Sequence, residues 1–260
     1  TLDGQGADEM LAGYSGYPGQ RLRSLIETGQ LARAWQFWGH WAQWPGRSRL
    51  QGAKLLVGQL VTGRTYDFLR ARNGDQARPR WLDHARLQEA GVACRFPCKA
   101  PQQAGRGRRV TAELAESLAN RGLHALLRHG DRNSMHFSVE SRVPFLTTDL
   151  VALLLSLPED YLISMQGQTK HVFRAAMRGI VPDDVLDRKD KIGFATPEQA
   201  WLLAMADTVR EWLRQDLKLP FFKQAEVLRE FDLIAAGKKP FSWQVWRWIN
   251  FSRWHQLYFS

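Results

Sequence analysis

The chain opens on Thr1-Leu2-Asp3-Gly4-Gln5-Gly6-Ala7-Asp8-Glu9-Met10, and we interpret the other segments around this one. Gly4 and Gly6 flank a single polar residue. Glycine accepts a positive φ and lets backbone N–H groups approach a ligand closely. The acidic pair that follows is typical of a helix start, and we expect this helix to continue through to Tyr14. The unpaired N–H groups at such a start suit an anion such as phosphate.

Asp8 gives this loop a second chemical role. A carboxylate beside phosphate groups is a usual way for proteins to hold Mg²⁺. The alternative is a plain turn, in which the glycines only reverse the chain and Asp8 and Glu9 only favour the helix start. The motif is short, so both interpretations stay open until other segments are considered.

Composition restricts the classes of protein to consider. The 260 residues can form one large domain or two small ones, and 44% of them are hydrophobic. No apolar run approaches the roughly 18 residues that span a bilayer. The net charge of +10 favours acidic partners or polyanionic ligands. The basic residues are scattered and no nucleic-acid-binding motif accompanies them, so we expect a triphosphate or pyrophosphate ligand rather than nucleic acid.

The cysteine pattern and the first residues concern the compartment. Cys94 and Cys98 lack the second pair of ligands that a structural zinc site needs. The sequence shows no signal peptide, and Thr1 is expected to lie inside a domain. We therefore expect a reduced, cytoplasmic protein with free thiols.

Apolar periodicity predicts a mostly helical chain with few strands. Two helices are expected between residues 18 and 44, the second with an aromatic stripe that packs in the core. The clearest helix is expected over residues 110–130, with Thr111 as its N-cap. Further helices are expected around residues 48–68, 81–90, 149–157, 170–178, 197–212, 225–236 and 241–258.

Two further segments interleave charged and apolar residues. Residues 131–146 read Asp-Arg-Asn-Ser-Met-His-Phe-Ser-Val-Glu-Ser-Arg-Val-Pro-Phe-Leu, in which Glu140 and Arg142 could form a structural ion pair or serve a ligand. Residues 187–194 place three basic side chains before a Gly-Phe turn. A charge run of this kind is usually a solvated surface, but one lysine near the opening loop could hold a leaving pyrophosphate.

The three segments in this order, with Lys170-x-x-x-Arg174 ahead of the last, closely resemble the asparagine synthetase family of glutamine-dependent amidotransferases. The resemblance runs from Gly4 to about Pro197. It implies that residues 1–260 are the C-terminal part of a synthetase domain with an α/β ATP-pyrophosphatase (adenine nucleotide alpha hydrolase-like) fold, of which the visible part is mainly α.

The resemblance also implies the chemistry. ATP activates the side-chain carboxylate of aspartate as an acyl-adenylate, pyrophosphate leaves, and ammonia derived from glutamine attacks the acyl carbon. The implied cofactors are ATP and Mg²⁺. The implied partners are small-molecule substrates and a glutaminase domain in cis or in trans; a homodimer is a further expectation, and a membrane is not expected.

The residue roles follow from the matched motifs. Asp8 matches the acid that binds Mg²⁺ and, with Gly4 and Gly6, the surface against ATP and pyrophosphate. Lys191 matches the lysine that stabilises adenylation.

Glu140 and Arg142 match the acid and base of the Val-Glu-x-Arg-Val-Pro-Phe segment. Glu140 is expected in catalysis or in shaping the site. Arg142 and Gln5 are expected on the substrate side.

Two departures leave alternatives open. Gln5 stands where asparagine-forming members carry glutamate, which favours another acceptor: a cyclising enzyme, or one that amidates a cell-surface precursor. The 260 residues also contain no Ser-Gly-Gly-x-Asp-Ser phosphate loop and no N-terminal catalytic cysteine. We therefore expect the chain to be inactive alone, and a non-catalytic scaffold is the remaining alternative.

Overall fold

The structure is a computed structural model that describes residues 1–61, 63–72, 78–94, 105–120, 122–189, 196–216 and 219–259. The helices of its first half are α1 Ala7–Met10, α2 Tyr17–Glu27, α3 Leu31–Trp41, α4 Arg49–Leu60, α5 Gly63–Arg72, α6 His84–Glu89, α7 Arg109–Asn120 and α8 Leu123–His136. A 3₁₀ turn at Pro144–Leu146 then precedes α9 Thr148–Ser156, α10 Glu159–Leu162, α11 His171–Ala176, α12 Asp183–Leu186, α13 Glu198–Ala204, α14 Ala206–Asp216, α15 Gln224–Ala235 and α16 Gln244–Phe259.

The chain divides into two compact units. Unit 1 consists of residues Thr1–Gly63 and Lys99–Lys191, and unit 2 of Arg64–Cys98 and Ile192–Ser260. All of the predicted site residues belong to unit 1.

The core of unit 1 anchors the opening loop. Met10, Leu11 and Ala12 are each at most 1% exposed and join a cluster built from α2, α3, α7, α9 and α10. Complete burial of a side chain such as Leu11 stabilises the fold by about 1.5–3 kcal/mol. The end of α1 is therefore fixed in the core, and the loop before it is held at the surface of unit 1.

A buried ion pair joins α2 to α10, and its carboxylate also binds the start of α7. Arg21 lies 3.2 Å from Glu159, measured from Nη1 to Oε2, and both side chains are almost fully buried. Glu159 Oε1 also accepts hydrogen bonds from the backbone N–H groups of Val110 and Thr111, at 2.7 and 3.4 Å. Glu159 therefore satisfies donors in the first turn of α7 that have no partner within the helix.

Within the described ranges, β structure is limited to isolated bridges. In unit 1, Leu2 pairs in parallel with Arg142 and Ile163 pairs antiparallel with Thr169. This confirms the expectation of a mainly helical chain with few strands. The α/β ATP-pyrophosphatase fold stays a prediction.

Several predictions about the helices were wrong. The single helices expected around residues 48–68 and 197–212 are each two helices, α4 with α5 and α13 with α14. The helix that starts after Gly6 ends at Met10 and does not reach Tyr14. The helix expected over residues 110–130 is two helices, and Gly122, with φ 38°, precedes the second. Thr111 is not an N-cap, because α7 already begins at Arg109.

The aromatic stripe of α3 packs in the core only in part. Phe37 and Trp41 are buried, as expected, but Leu31 and Trp35 are 64% and 62% exposed. The apolar stripe is thus wider than the face that α3 buries.

The core of unit 2 forms around Trp248 of α16, which is 1% exposed. The ring of Trp81 stacks on Phe222 and meets Trp248 edge-on, with ring centroids 5.8 and 5.4 Å apart. An antiparallel bridge between Leu82 and Phe222 fixes this contact. None of the helices in the described part of the chain is both long and apolar enough to cross a bilayer.

Candidate functional site

The opening loop lies against the segment that contains Glu140 and Arg142. The N–H of Asp3 donates to the carbonyl of Arg142 and the N–H of Arg142 donates to the carbonyl of Thr1, both at 2.8 Å. The amino group of Thr1 donates to the carbonyl of Glu140 at 2.6 Å. Two segments that are distant in the sequence are therefore neighbours at one surface of unit 1.

Gly6 joins the same two segments by packing. Its φ is +93°, and a Cβ added there would lie 2.4 Å from Cδ2 of Leu146. A side chain at this position is excluded both by the backbone conformation and by Leu146. At Gly4, by contrast, an added Cβ would meet nothing within 4 Å. Open space therefore stands beside the backbone of Gly4, as a ligand against this loop requires.

The Asp8 carboxylate is paired with a lysine from a distant motif. Asp8 Oδ1 and Lys170 Nζ are 2.8 Å apart, with the two side chains 30% and 28% exposed. Lys170 lies in the left-handed region at φ 57°, and its N–H donates to the carbonyl of Leu11 at 3.0 Å. This hydrogen bond ties the backbone of Lys170 to the end of α1, so both members of the pair are held by the same part of the core.

Gly13 leaves room for this pair. A Cβ added at Gly13 would lie 1.7 Å from Asp8 Oδ1 and 2.8 Å from Lys170 Cε. The ion pair thus occupies the volume that a side chain at position 13 would fill. Sequence reasoning did not assign a role to Lys170. The available signal was the Lys170-x-x-x-Arg174 motif, but the motif does not show which lysine reaches Asp8.

Arg174 of the same motif makes hydrogen bonds that hold the backbone around it. Its guanidinium donates to the carbonyl groups of Leu186, Arg188 and Thr169, the last two at 3.2 and 3.1 Å. Burial lowers the pKa of Arg174 below its ordinary value. Arg174 therefore fixes the segment that leads towards Lys191. Lys191 itself lies outside the described residues.

Glu9, next to Asp8 in the sequence, is buried and structural. It is 2% exposed, and the hydroxyl of Tyr14 donates a hydrogen bond to its Oε1. Burial and this hydrogen bond raise the pKa of Tyr14 above its ordinary value, so the hydroxyl remains a donor. Asp8, unlike Glu9, keeps a carboxylate that solvent and ligands can reach.

Glu140 and Arg142 form an exposed ion pair. Arg142 Nη2 lies 2.8 Å from Glu140 Oε1, and the side chains are 72% and 68% exposed. A pair this exposed contributes about 0–1 kcal/mol to stability. Both side chains are therefore accessible to a ligand. Gln5 is half-buried in the neighbouring loop, and its N–H donates to Asp3 Oδ1 at 3.2 Å.

The described residues offer limited ligands for a metal ion. Among them no cluster of three or more His, Cys, Asp or Glu side chains could hold a metal ion. Mg²⁺ at phosphate sites is usually held by one or two carboxylates, with phosphate oxygens and water completing the octahedron. Asp8 fits as one such carboxylate, which Mg²⁺ would share with Lys170.

Comparison with known proteins identifies the family of the chain. A family model described as asparagine synthase matches residues 1–256. The chain belongs to the asparagine synthase family. This confirms the resemblance that the motifs indicated.

The curated relatives are longer than the matched segment. The chain is 32% identical over 133 residues to an asparagine synthetase (glutamine-hydrolysing) of Bacillus subtilis, a match that covers 51% of the chain and 21% of that relative. Putative asparagine synthetases (glutamine-hydrolysing) of Mycobacterium bovis and Mycobacterium tuberculosis are 31% identical over 137 residues, covering 51% of the chain and 20% of each relative. The match thus spans about one fifth of the length of these asparagine synthetases. No solved structure matches the chain.

Proposed function

We propose that this member of the family supplies part of the site of an ATP-dependent ligase. The ligase activates a carboxylate as an acyl-adenylate, and ammonia derived from glutamine then attacks the acyl carbon, which forms the amide and releases AMP. Family membership supports the reaction class. The observation that carries the proposal is the pair formed by Asp8 and Lys170, 2.8 Å apart beside the opening loop.

The adenylation step needs a cation beside the departing pyrophosphate and a carboxylate that can hold Mg²⁺. An oxygen of the acceptor carboxylate attacks the α-phosphorus of ATP, the bond to the bridging oxygen breaks, and pyrophosphate leaves with the electron pair. The charge that accumulates on pyrophosphate is stabilised by cations held ready beside it. Lys170 supplies an ammonium group at that position, and Asp8 would hold Mg²⁺, which neutralises phosphate charge when bound.

The pair also explains how the site stays balanced without ligand. Asp8 and Lys170 neutralise each other at 2.8 Å, so neither charge is isolated in a half-buried position. With Mg²⁺ and phosphate bound, Asp8 would hold Mg²⁺ while still sharing its carboxylate with Lys170, and Lys170 would also contact the phosphate. Both charges would thus stay compensated.

The remaining residues are assigned from the matched motifs. Gly4 and Gly6 bring backbone N–H groups towards the nucleotide, and Lys191 is a second cation for the leaving pyrophosphate. Glu140 acts in catalysis or shapes the site.

Gln5 and Arg142 lie on the substrate side. Because Gln5 removes the charge of the family's glutamate, a carboxylate other than aspartate is the second candidate for the acceptor. We place the enzyme in the cytoplasm, with a glutaminase domain as its ammonia source in cis or in trans, and a homodimer as its assembly.

The test is pyrophosphate release by a protein that joins this chain to a Ser-Gly-Gly-x-Asp-Ser loop of the family, which the 260 residues lack. With ATP, Mg²⁺, ammonia and aspartate, we expect Asp8→Asn and Lys170→Met each to lower the rate about 10²-fold or more. Lys238→Met is the control, because Lys238 is exposed in unit 2. Equal rates in all three variants would remove both residues from the site.

Competition among acceptors separates the two candidates. Aspartate is compared with longer dicarboxylates and with amino acids that carry a side-chain carboxylate, at equal concentration. Faster pyrophosphate release with aspartate than with the other acceptors supports asparagine formation. Pyrophosphate release only with another carboxylate supports an acceptor other than aspartate. Failure of Mg²⁺–ATP binding in the completed protein would support a non-catalytic scaffold.

A further inference from the structure

Unit 1 contains a polar cavity to which neither Asp8 nor Lys170 contributes. Its volume is about 460 Å³, within the range typical of small-molecule sites. It lies between the end of α3, the turn over residues 163–169, the first residue of α11 and the segment after α12. Polar side chains line it around one indole, that of Trp44. Of the predicted site residues that the structure describes, none contributes to it.

The turn that forms one wall is rigid. Ser164 is buried, and its Oγ accepts hydrogen bonds from the N–H groups of Gln166 and Gln168, both at 3.3 Å. Gly167, with φ +79°, lies so close to α3 that an added Cβ would be 3.0 Å from Cα of Trp41. The wall is therefore fixed before any ligand arrives, which reduces the entropic cost of binding.

Two histidine rings, those of His40 and His171, line the cavity and share one hydrogen-bonding arrangement. Nδ1 of His40 lies 3.1 Å from the carbonyl of Met165, and Nδ1 of His171 lies 3.0 Å from Gln168 Oε1. Because both partners are acceptors, each Nδ1 carries a hydrogen. Each ring then presents Nε2 as its second polar atom, which becomes a donor when the ring is protonated.

The charges around the cavity favour an anionic group. The ammonium of Lys189 lies 5.8 Å from the centre of the Trp44 ring, and the guanidinium of Arg47 lies 5.0 Å from it. Trp44 is held in place by a hydrogen bond of 2.7 Å from its Nε1 to the carbonyl of Gln166. Among the described residues that line the cavity, the carboxylate is that of Asp187, which is paired with Arg178. Lys189 thus supplies a cation at this cavity, with its ammonium over the Trp44 ring and the Asp187 carboxylate as a further electrostatic neighbour.

We propose that this cavity is a separate binding site for a small molecule carrying a carboxylate or phosphate group. The anionic group is bound by Lys189 and, when the two imidazoles are protonated, by hydrogen bonds donated from Nε2 of His40 and His171. Asp187, held by Arg178, accepts a hydrogen bond from a hydroxyl or ammonium group on the same ligand. The Trp44 ring contacts the apolar part of the ligand.

The experiment is calorimetric titration of the 260-residue chain with two probes, inorganic phosphate and succinate. We expect saturable binding of at least one probe. Phosphate binding without succinate binding assigns the site to phosphorylated ligands, and the reverse assigns it to carboxylates. Absence of saturable binding for both probes would overturn the proposal.

Two variants locate the binding. Lys189→Ala is expected to weaken it about tenfold, because it removes one charge-assisted hydrogen bond, and Lys189→Arg is expected to retain most of it. Lys238→Ala, at an exposed lysine of unit 2, is the matched control. Equal affinity in Lys189→Ala and Lys238→Ala would contradict the site.

A spectroscopic measurement separates this cavity from the reaction site. Ring C–H signals in NMR spectra of the chain are assigned with the variants His40→Gln and His171→Gln. Both signals should shift with the same saturation curve that calorimetry gives. The same shifts should persist in Lys170→Met, since Lys170 binds Asp8 and is no part of the cavity. Loss of the shifts in Lys170→Met would place the anion at the reaction site instead.

Discussion

Asp8 and Lys170 form a 2.8 Å ion pair, although most of the sequence of unit 1 lies between them. Each comes from a short motif that carries little information alone. Their contact brings a carboxylate and an ammonium group together beside the same loop. The proposed roles, Mg²⁺ for the carboxylate and phosphate for the ammonium, rest on this contact rather than on either motif alone.

Substitution of Gly13 tests whether pyrophosphate release depends on the position of the Asp8 carboxylate beside Lys170. In Gly13→Ala the new Cβ would lie 1.7 Å from Asp8 Oδ1, so the carboxylate has to rotate away from Lys170. Because Asp8 is partly exposed and can rotate, stability should change by about 1 kcal/mol or less. Pyrophosphate release by the completed protein should fall about 10²-fold, as expected for a misplaced catalytic group.

Gly16→Ala is the matched control for this variant. Gly16 has φ −78°, and an added Cβ there would meet nothing within 4 Å. The control should retain both its thermal midpoint and its pyrophosphate release. Full release in Gly13→Ala would show that the precise placement of the Asp8 carboxylate has no role.

Substitution of Gly6 tests the contact between the opening loop and Leu146. In Gly6→Ala the left-handed backbone costs about 1–2 kcal/mol. The clash with Leu146, at 2.4 Å, adds about 1–3 kcal/mol of overpacking. Urea unfolding should therefore show a larger loss than in Gly29→Ala, where φ is +75° but an added Cβ meets nothing within 4 Å. Equal losses would mean that Leu146 does not constrain the loop.

The sequence could predict the family and the helical class, because both depend on local signals. The order of three motifs indicated asparagine synthetases, and helical periodicity located most of the helices. The break before α8 was missed because leucines continue the apolar pattern across it, while Gly122 reverses the sign of φ. The partner of Asp8 was missed for a different reason: it depends on how α11 docks beside Leu11, which no local pattern records.

Removal of Glu159 should destabilise unit 1 strongly. In Glu159→Ala the buried guanidinium of Arg21 loses its buried carboxylate, and the N–H of Val110 loses its acceptor. Removing one member of a buried ion pair costs about 3–5 kcal/mol when the other charge is left uncompensated, and because Arg21 keeps its pair with Asp160, the loss should lie towards the lower end of that range. Asp183→Ala, which breaks an exposed pair with Arg178, should cost about 0–1 kcal/mol. The free energy of unfolding in urea measures both, and a similar small loss in the two variants would contradict the structural role of Glu159.

Glu27 should make the stability of unit 1 depend on pH in the acidic range. Burial alone would raise the pKa of Glu27, but hydrogen bonds from Arg109 and Arg23 outweigh it and hold the pKa below its ordinary value of 4.5. A group whose pKa is lowered on folding stabilises the fold above its unfolded pKa and loses that contribution as pH falls through the folded pKa. Urea unfolding between pH 6 and pH 3 should therefore show less loss of stability below about pH 4.5 in Glu27→Gln than in the unmodified chain. Asp131→Asn, at an exposed carboxylate of α8, controls for general effects of acid. If stability falls with pH in Glu27→Gln in parallel with the unmodified chain, Glu27 is not a source of the pH dependence.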